Sequence, residues 1–129
     1  MVSRISSGST YEELAGYSRL VVDGEMIYVS GTTGTDYSNM TLSDDVAEQT
    51  HQTFRNIASA LAQVDSSLDD VLRVQYTITD KAYFEQVAPI WGEYFKVARP
   101  AATCVVAGLI DDRMKIEIEV TARRGAGQE

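Results

Sequence analysis

Alternation of apolar and polar residues is the strongest signal in this chain. Leu72, Val74, Tyr76 and Ile78 alternate with Arg73, Gln75, Thr77 and Thr79, and Met114, Ile116, Ile118 and Val120 alternate with Lys115, Glu117, Glu119 and Thr121. Both segments have the period of a strand with one face against a core. Earlier, the runs Arg19–Asp23 and Met26–Ser30 flank Gly24–Glu25, and the Asp23-Gly24 pair supplies the positive φ that a tight hairpin turn needs. A run of small and β-branched residues, Ala101–Gly108, predicts one more strand, joined to the last across an Asp111–Asp112 turn as a closing hairpin.

Two segments have helical period instead. Over residues 44–63, Val46, Thr50, Phe54, Ile57, Ala58 and Leu61 fall on one stripe. Ser43 is placed to cap this helix, and Asp44, Asp45 and Glu48 set negative charge at the positive end of its dipole. Over residues 81–97, Phe84, Val87, Ala88, Trp91 and Phe95 share a face, with Asp80 as cap, a kink expected at Pro89 and a stop at Pro100. The Gly, Thr, Asp, Ser and Asn residues of 31–41 read as a loop, and loops in such places often line sites.

The predicted order is hairpin, helix, strand, helix, hairpin. This is an α+β domain with a mixed, mostly antiparallel sheet and two helices packed on one face. At 129 residues, with no repeat or shift in composition, the chain fits one domain over residues 1–124, and the Gly-containing residues 125–129 are set aside as a disordered tail. The sheet face away from the helices carries Arg73, Gln75, Thr77, Glu117, Glu119 and Thr121. That face either meets solvent, as one face of an antiparallel sheet often does, or lies against other subunits.

Hydrophobic residues make up 44% and charged residues 23%, ordinary globular values that exclude disordered and fibrous classes. Nineteen acidic residues against eleven Lys+Arg give a formal charge of −8, a field that repels phosphate backbones and argues against a main role on nucleic acid. The single Cys104 and a polar Met1–Thr10 without the apolar core of a secretory signal predict a reducing compartment, by default the cytoplasm. No apolar run approaches the roughly eighteen residues that span a bilayer. His51, the one histidine, excludes multi-histidine metal sites and reads as a surface residue off the apolar stripe of its helix.

Several short motifs occur in a telling order. Gly16-Tyr17-Ser18-Arg19 precedes the hairpin, Tyr28-Val29-Ser30-Gly31 ends it, Gln49 to Asn56-Ile57 lie in the first helix, and Cys104 is followed by Lys115-Ile116-Glu117-Ile118-Glu119. Over residues 3–124 the chain resembles the RidA/YjgF family. The resemblance implies a chorismate-mutase-like fold, a homotrimer, and clefts between subunits that bind small carboxylates. In well-characterised members these clefts hydrolyse reactive 2-imino or enamine acids to 2-keto acids and ammonia. No cofactor is implied. The resemblance assigns water handling to Glu117 and cleft lining to Tyr17, Ser30, Gly31 and the backbone around Thr103 and Cys104. It also turns the polar sheet face toward identical subunits.

Two positions depart from the imine-hydrolysing pattern. An arginine two residues before the position of Cys104 grips the substrate carboxylate in those members, and Ala102 stands there in this chain. Ala88 stands where many members have asparagine. A small residue cannot replace a guanidinium fork. Arg99 and Arg73 are the cations considered as substitutes, although three extended residues displace Arg99 from the Ala102 position by roughly 10 Å.

From the residues alone, Glu117 and Glu119, about 7 Å apart along one strand face, read as solvated charges; the resemblance places Glu117 in a cleft and leaves Glu119 to pair with Arg73 or face water. Cys104 has no basic residue within four positions and reads as a small hydrophobe rather than a nucleophile. Tyr17 either closes a ligand pocket or packs over the sheet edge, while Trp91 and Phe95 are core. Three functions remain open: an imine or enamine deaminase of non-standard specificity, a non-catalytic trimer that binds a metabolite for regulation, and an endoribonuclease or translation inhibitor. The charge and the lone histidine weigh against the third.

Overall fold

The computed structural model describes residues 1–129, a six-stranded sheet covered on one face by two long helices. The elements are β1 (Val2–Ile5), α1 (Thr10–Ala15), β2 (Leu20–Asp23), β3 (Met26–Thr32), α2 (Val46–Ala62), β4 (Val71–Ile78), α3 (Phe84–Tyr94), β5 (Ala101–Val106) and β6 (Ile116–Arg123). In space the strands run β1-β2-β3-β6-β4-β5, antiparallel throughout except for the parallel pair β4 and β5. The predicted α+β layering is present, and its apolar side is continuous. Leu20, Ile27, Val29, Val74, Ile78, Ile116, Ile118 and Val120 from the strands are buried with Phe54, Ile57 and Leu61 of α2 and Val87 and Trp91 of α3.

The first hairpin forms as predicted, with Asp23 opposite Met26 and Gly24 in the left-handed region at φ 63°. The closing hairpin does not form. β5 pairs with β4 instead, and β6 inserts between β3 and β4. Two physical reasons account for this. A strand followed by a helix returns most readily as a parallel neighbour, with α3 as the crossover. The fully buried Ile116, Ile118 and Ala122 also suit a central strand, whereas β5 is small, exposed along its whole length and takes the edge.

Smaller corrections have local causes. Val71 rather than Leu72 is buried, because a register shift between Val71 and Arg73 inserts an extra residue and leaves Leu72 41% exposed. Asp45, not Ser43, caps α2, its Oδ2 accepting from Glu48 N at 3.3 Å, while Ser43 Oγ accepts from Asp45 N at 3.1 Å. The second helix begins as a 3-10 turn at Lys81–Tyr83 with Asp80 as its cap, continues through Pro89, and ends at Tyr94. Phe84 is half exposed rather than core, standing edge-on to Trp91. Residues 125–129, set aside as a tail, include a 3-10 turn, Ala126–Gln128, and Gly127 N donates to Asp70 Oδ1 at 2.8 Å.

The N-terminal elements β1 and α1 were not predicted. β1 is an edge strand with no buried face to give it a period. α1 did have a signal, the Ser9-x-x-Glu12 spacing that opens helices, and Ser9 Oγ accepts from Tyr11 N at 3.1 Å. It ends at Gly16, whose φ of 74° turns the chain toward Tyr17 and β2.

Candidate functional site

The register of the central strands places Arg73, Gln75 and Thr77 of β4 opposite Thr121, Glu119 and Glu117 of β6, all on the face away from the helices. Glu117 sits at the end of that face where β3 bends. A register irregularity between Val29 and Thr32 lifts Ser30-Gly31 out of the regular ladder. Two hydrogen bonds hold the lifted segment to the turn before β2: Ser30 N donates to Arg19 O at 3.0 Å, and Ser30 Oγ to Ser18 O at 2.6 Å.

The Glu117 carboxyl group lies against Gly31. A methyl group at Gly31 would come within 2.8 Å of Glu117 Cδ and Oε1, so only glycine leaves room for the carboxyl in this position. Burial pushes the Glu117 carboxyl above its ordinary value, the Glu119 charge pushes the same way, and the Arg19 guanidinium pulls it back in part. A carboxyl so placed passes between acid and base at a higher pH than an exposed glutamate, which suits it to proton transfer. Arg19 itself is fixed by Nη1, which donates to Gly31 O at 3.3 Å and to Thr32 Oγ1 at 3.1 Å.

The loop that follows is anchored by the two polar residues of α2 that carried part of the family resemblance. Asn56 Nδ2 donates to Thr33 O at 3.0 Å and Thr35 O at 2.9 Å. The fully buried Gln49 donates to Ser43 O and Arg113 O at 2.7 and 2.9 Å and accepts from Lys115 N at 2.9 Å. Gln49 therefore fixes the start of β6, two residues before Glu117. Gly34 packs so closely on the Gln49 backbone that a Cβ would stand 2.5 Å from Gln49 O. These motif residues act as scaffold, fixing the start of β6 and the loop after β3 through backbone hydrogen bonds.

Ala102 and Cys104 lie elsewhere. The parallel register pairs Ala102 with Val74 and Cys104 with Tyr76, which turns both toward the helix side of the sheet, opposite to Glu117. Tyr76 stacks on Trp91 with ring centroids 3.6 Å apart and planes 3° from parallel, and Phe84 closes on Trp91 edge-on. Cys104 is exposed on the edge strand rather than buried as the sequence predicted, because β5 takes the edge of the sheet; partial desolvation still raises its thiol above its ordinary value, which opposes a thiolate nucleophile. Burial, with the Cys104 charge, also raises the Tyr76 phenol. Trp91 Nε1 is buried without a hydrogen-bond partner, an open donor on this otherwise apolar wall.

The cations considered as substitutes do not approach Glu117. Arg73 lies four residues along β4 from Thr77, the residue opposite Glu117, a separation of about 13 Å, and its Nη2 donates to Thr103 Oγ1 at 3.1 Å. Arg99 is exposed, in the left-handed region at φ 43°, before β5 begins. Glu119 is exposed and lines a shallow depression with Val21, Tyr28, Ser30 and Thr121. Tyr17 is 41% exposed beyond the end of α1. His51 Nδ1 lies 2.8 Å from Tyr94 Oη, a partly covered residue rather than a free surface one. Among the candidates named from sequence, Glu117, Ser30 and Gly31 are brought together. The residue overlooked is Arg19, and the hairpin register, which puts it opposite Ser30, was the signal that could have found it.

Comparison with known proteins places this geometry in context. The family profile described as Endoribonuclease L-PSP matches residues 8–124. An uncharacterized protein of Streptomyces coelicolor is 33% identical over 126 residues, covering 97% of this chain and 94% of its own length. The mitochondrial protein MMF1 of Saccharomyces cerevisiae is 28% identical over 108 residues, covering 84% of this chain and 74% of its own length. Among solved structures, a Mycobacterium tuberculosis protein described as a member of the YjgF/YER057c/UK114 family superposes with a TM-score of 0.86 at 35% identity, covering 95% of this chain and 99% of that one. No helix of the chain is long and apolar enough to cross a membrane.

Proposed function

The chain belongs to the YjgF/RidA family, with its chorismate-mutase-like fold, and from that premise we propose that it hydrolyses a small reactive imine or enamine, with Glu117 handling the water, in clefts formed between copies of itself. The observation that carries this reading is the Glu117 carboxyl, half-buried against Gly31 and raised above its ordinary value. In the hydrolysis a water adds to the imine carbon, and the resulting carbinolamine breaks its C–N bond to leave a carbonyl compound and ammonia. Glu117 as carboxylate takes a proton from the water; as carboxylic acid it returns one to the departing nitrogen. One group serves both steps because its pKa lies nearer neutrality than that of an exposed glutamate.

The resemblance puts the positions of Ala102 and Cys104 in the same cleft as Glu117, and the sheet geometry supports a cleft between copies. Glu117, Ser30 and Gly31 occupy one face of the sheet, and Ala102 and Cys104 the other, so a single chain cannot bring both groups to one ligand. A second copy can. The apolar exposure of β5, with Val105 and Val106 36% and 55% exposed, supports the same assembly, because the edge of a parallel pair is ordinarily covered. A homotrimer that closes on itself presents each wall to its neighbour, and light scattering at the mass of three chains is the expected result. The cytoplasm stays the proposed location.

A second reading, a non-catalytic trimer that binds a metabolite, is favoured by Ala88 and Ala102, which remove polar grip from the β5 wall. The endoribonuclease reading gains no observation from the site: the charge is −8, and the one histidine is engaged with Tyr94. The test is release of ammonia and keto acid from enzymatically generated 2-iminopropionate, with Glu117→Gln as the comparison. Wild-type release that Glu117→Gln abolishes supports the deaminase; an inactive wild type that still binds keto acids supports the binding protein.

A further inference from the structure

We propose that Arg19 holds the carboxylate of the ligand, so that the anion clamp and the water-handling Glu117 stand on either side of Gly31 and come from the same subunit. This rests on the reading of the Glu117 cleft given above and supplies the group that Ala102 does not.

The argument begins with what surrounds Arg19. Of the arginines without an ion pair, Arg4, Arg55, Arg73 and Arg99 are exposed, and Arg19 alone is partly buried. Its charge acts on two carboxyl groups. Glu117 is drawn down by the Arg19 charge against the effects of burial and of Glu119. Glu12 is held below its ordinary value, against the cost of burial, by hydrogen bonds from Ser7 and by the same charge. Neither forms an ion pair with Arg19. The Glu12 carboxyl is instead occupied by Ser7, whose N donates to Oε1 at 3.2 Å. Arg19 is thus a sheltered guanidinium that no ion pair occupies.

The guanidinium is also preorganised. Both of its hydrogen bonds leave from Nη1, to Gly31 O and Thr32 Oγ1, which fixes the plane of the group while Nε and Nη2 keep their N–H donors. Two parallel donors on a fixed plane match the two oxygens of a carboxylate. Because Gly31 O accepts from Arg19 while the Gly31 Cα faces the Glu117 carboxyl, the clamp and the proton-transfer group are held by one residue. The ligand class that fits is a short 2-imino or 2-keto acid, its carboxylate on Arg19 and its C2 toward Glu117. Arg73, engaged with Thr103, and Arg99, at the exposed bend before β5, offer neither the shelter nor the proximity.

The experiment is an NMR titration of the full chain with 2-oxobutyrate and, separately, with 2-butanone, which lacks the carboxylate. Wild type, Arg19→Gln, Arg19→Lys and Glu117→Gln are compared, and hydrolysis of 2-iminopropionate is followed on the same samples. Wild type is expected to bind 2-oxobutyrate with shifts at the Gly31 and Thr32 amides. Arg19→Gln should weaken this binding about 10- to 100-fold, the loss of a charge-assisted pair, with 2-butanone unaffected. Arg19→Lys keeps charge and stem without the fork, so a several-fold loss is expected there even if Arg19→Gln fails to fold. Binding of 2-oxobutyrate to Arg19→Gln within twofold of wild type, or its failure to bind wild type, overturns the proposal. The two readings fail separately. Arg19-dependent binding without hydrolysis removes the deaminase and leaves the clamp standing. Hydrolysis whose KM is the same in Arg19→Gln removes the clamp and leaves the deaminase.

Discussion

The two walls assigned to the cleft are built from different chemistry. The β3–β6 wall holds a half-buried carboxyl, a guanidinium and the hydroxyl of Ser30 around one glycine, the guanidinium and the hydroxyl tied by hydrogen bonds to backbone of the hairpin. The β5–α3 wall holds Ala102, Ala88 and a raised thiol over a stacked Tyr76–Trp91 pair, with one unpartnered indole N–H. On the proposed function, the contrast separates reactivity from shape: one wall would move protons and grip charge, and the other would supply an apolar surface that sets what fits.

Glu117→Gln is the largest test of this division. It keeps volume and hydrogen bonding but removes proton transfer, so turnover on 2-iminopropionate should fall about 10²- to 10⁴-fold with KM little changed. Gly31→Ala comes next. Its methyl group would meet the Glu117 carboxyl at 2.8 Å, and the flexible glutamate would swing aside while the fold survives. A displacement of that size costs about 100-fold, read as lost activity with an unchanged melting temperature. Gln49→Ala acts in the opposite way. It leaves Ser43 O, Arg113 O and Lys115 N without their partner and opens a buried cavity, so about 3 kcal/mol of stability should be lost in denaturant melts, with turnover per folded molecule falling less than in Gly31→Ala.

Smaller effects probe the same contrast. Because the folded-state pKa of Glu117 is raised, the folded state binds its proton more tightly than the unfolded chain does. The contribution of this group to stability is therefore fully present below the ordinary glutamate value and declines as pH rises through the raised folded-state value. Glu117→Gln should thus gain stability relative to wild type on passing from pH 4 to pH 7, measured by urea midpoints at each pH. On the other wall, Cys104→Ser should change turnover by no more than about twofold, since its thiol is not used as a nucleophile; a large loss would assign it chemistry.

Much of this was legible in the sequence because it follows from period. The alternation around Val74 and Ile118 identified both central strands, and the same alternation placed Glu117 on the polar face. Asp23-Gly24 marked the hairpin. Pairing was not legible in the same way. Period two fixes which residues share a face and leaves open which strand is the neighbour, so β5 was assigned to β6 although the intervening α3 carries it back to β4. Register irregularities escaped for a related reason. One extra residue at Leu72 or at Ser30-Gly31 leaves composition untouched but reverses a side chain or lifts a segment. Arg19 was hidden by distance in sequence, since its role depends on Gly31 and Glu117, which only the folded hairpin and β6 bring to it.

The central claim is that the two walls meet only across copies of the chain, and subunit mixing tests it most directly. Glu117→Gln disables one wall; Cys104→Trp, at an exposed edge position, blocks the other; each alone should be nearly inactive on 2-iminopropionate. Unfolded together at equal concentration and refolded, random closed trimers with a head-to-tail interface would contain about one cleft in four with both walls intact. The account predicts recovery of about a quarter of wild-type turnover. A mixture no more active than its parents would show that both walls serve from one chain, contradicting the cleft described here.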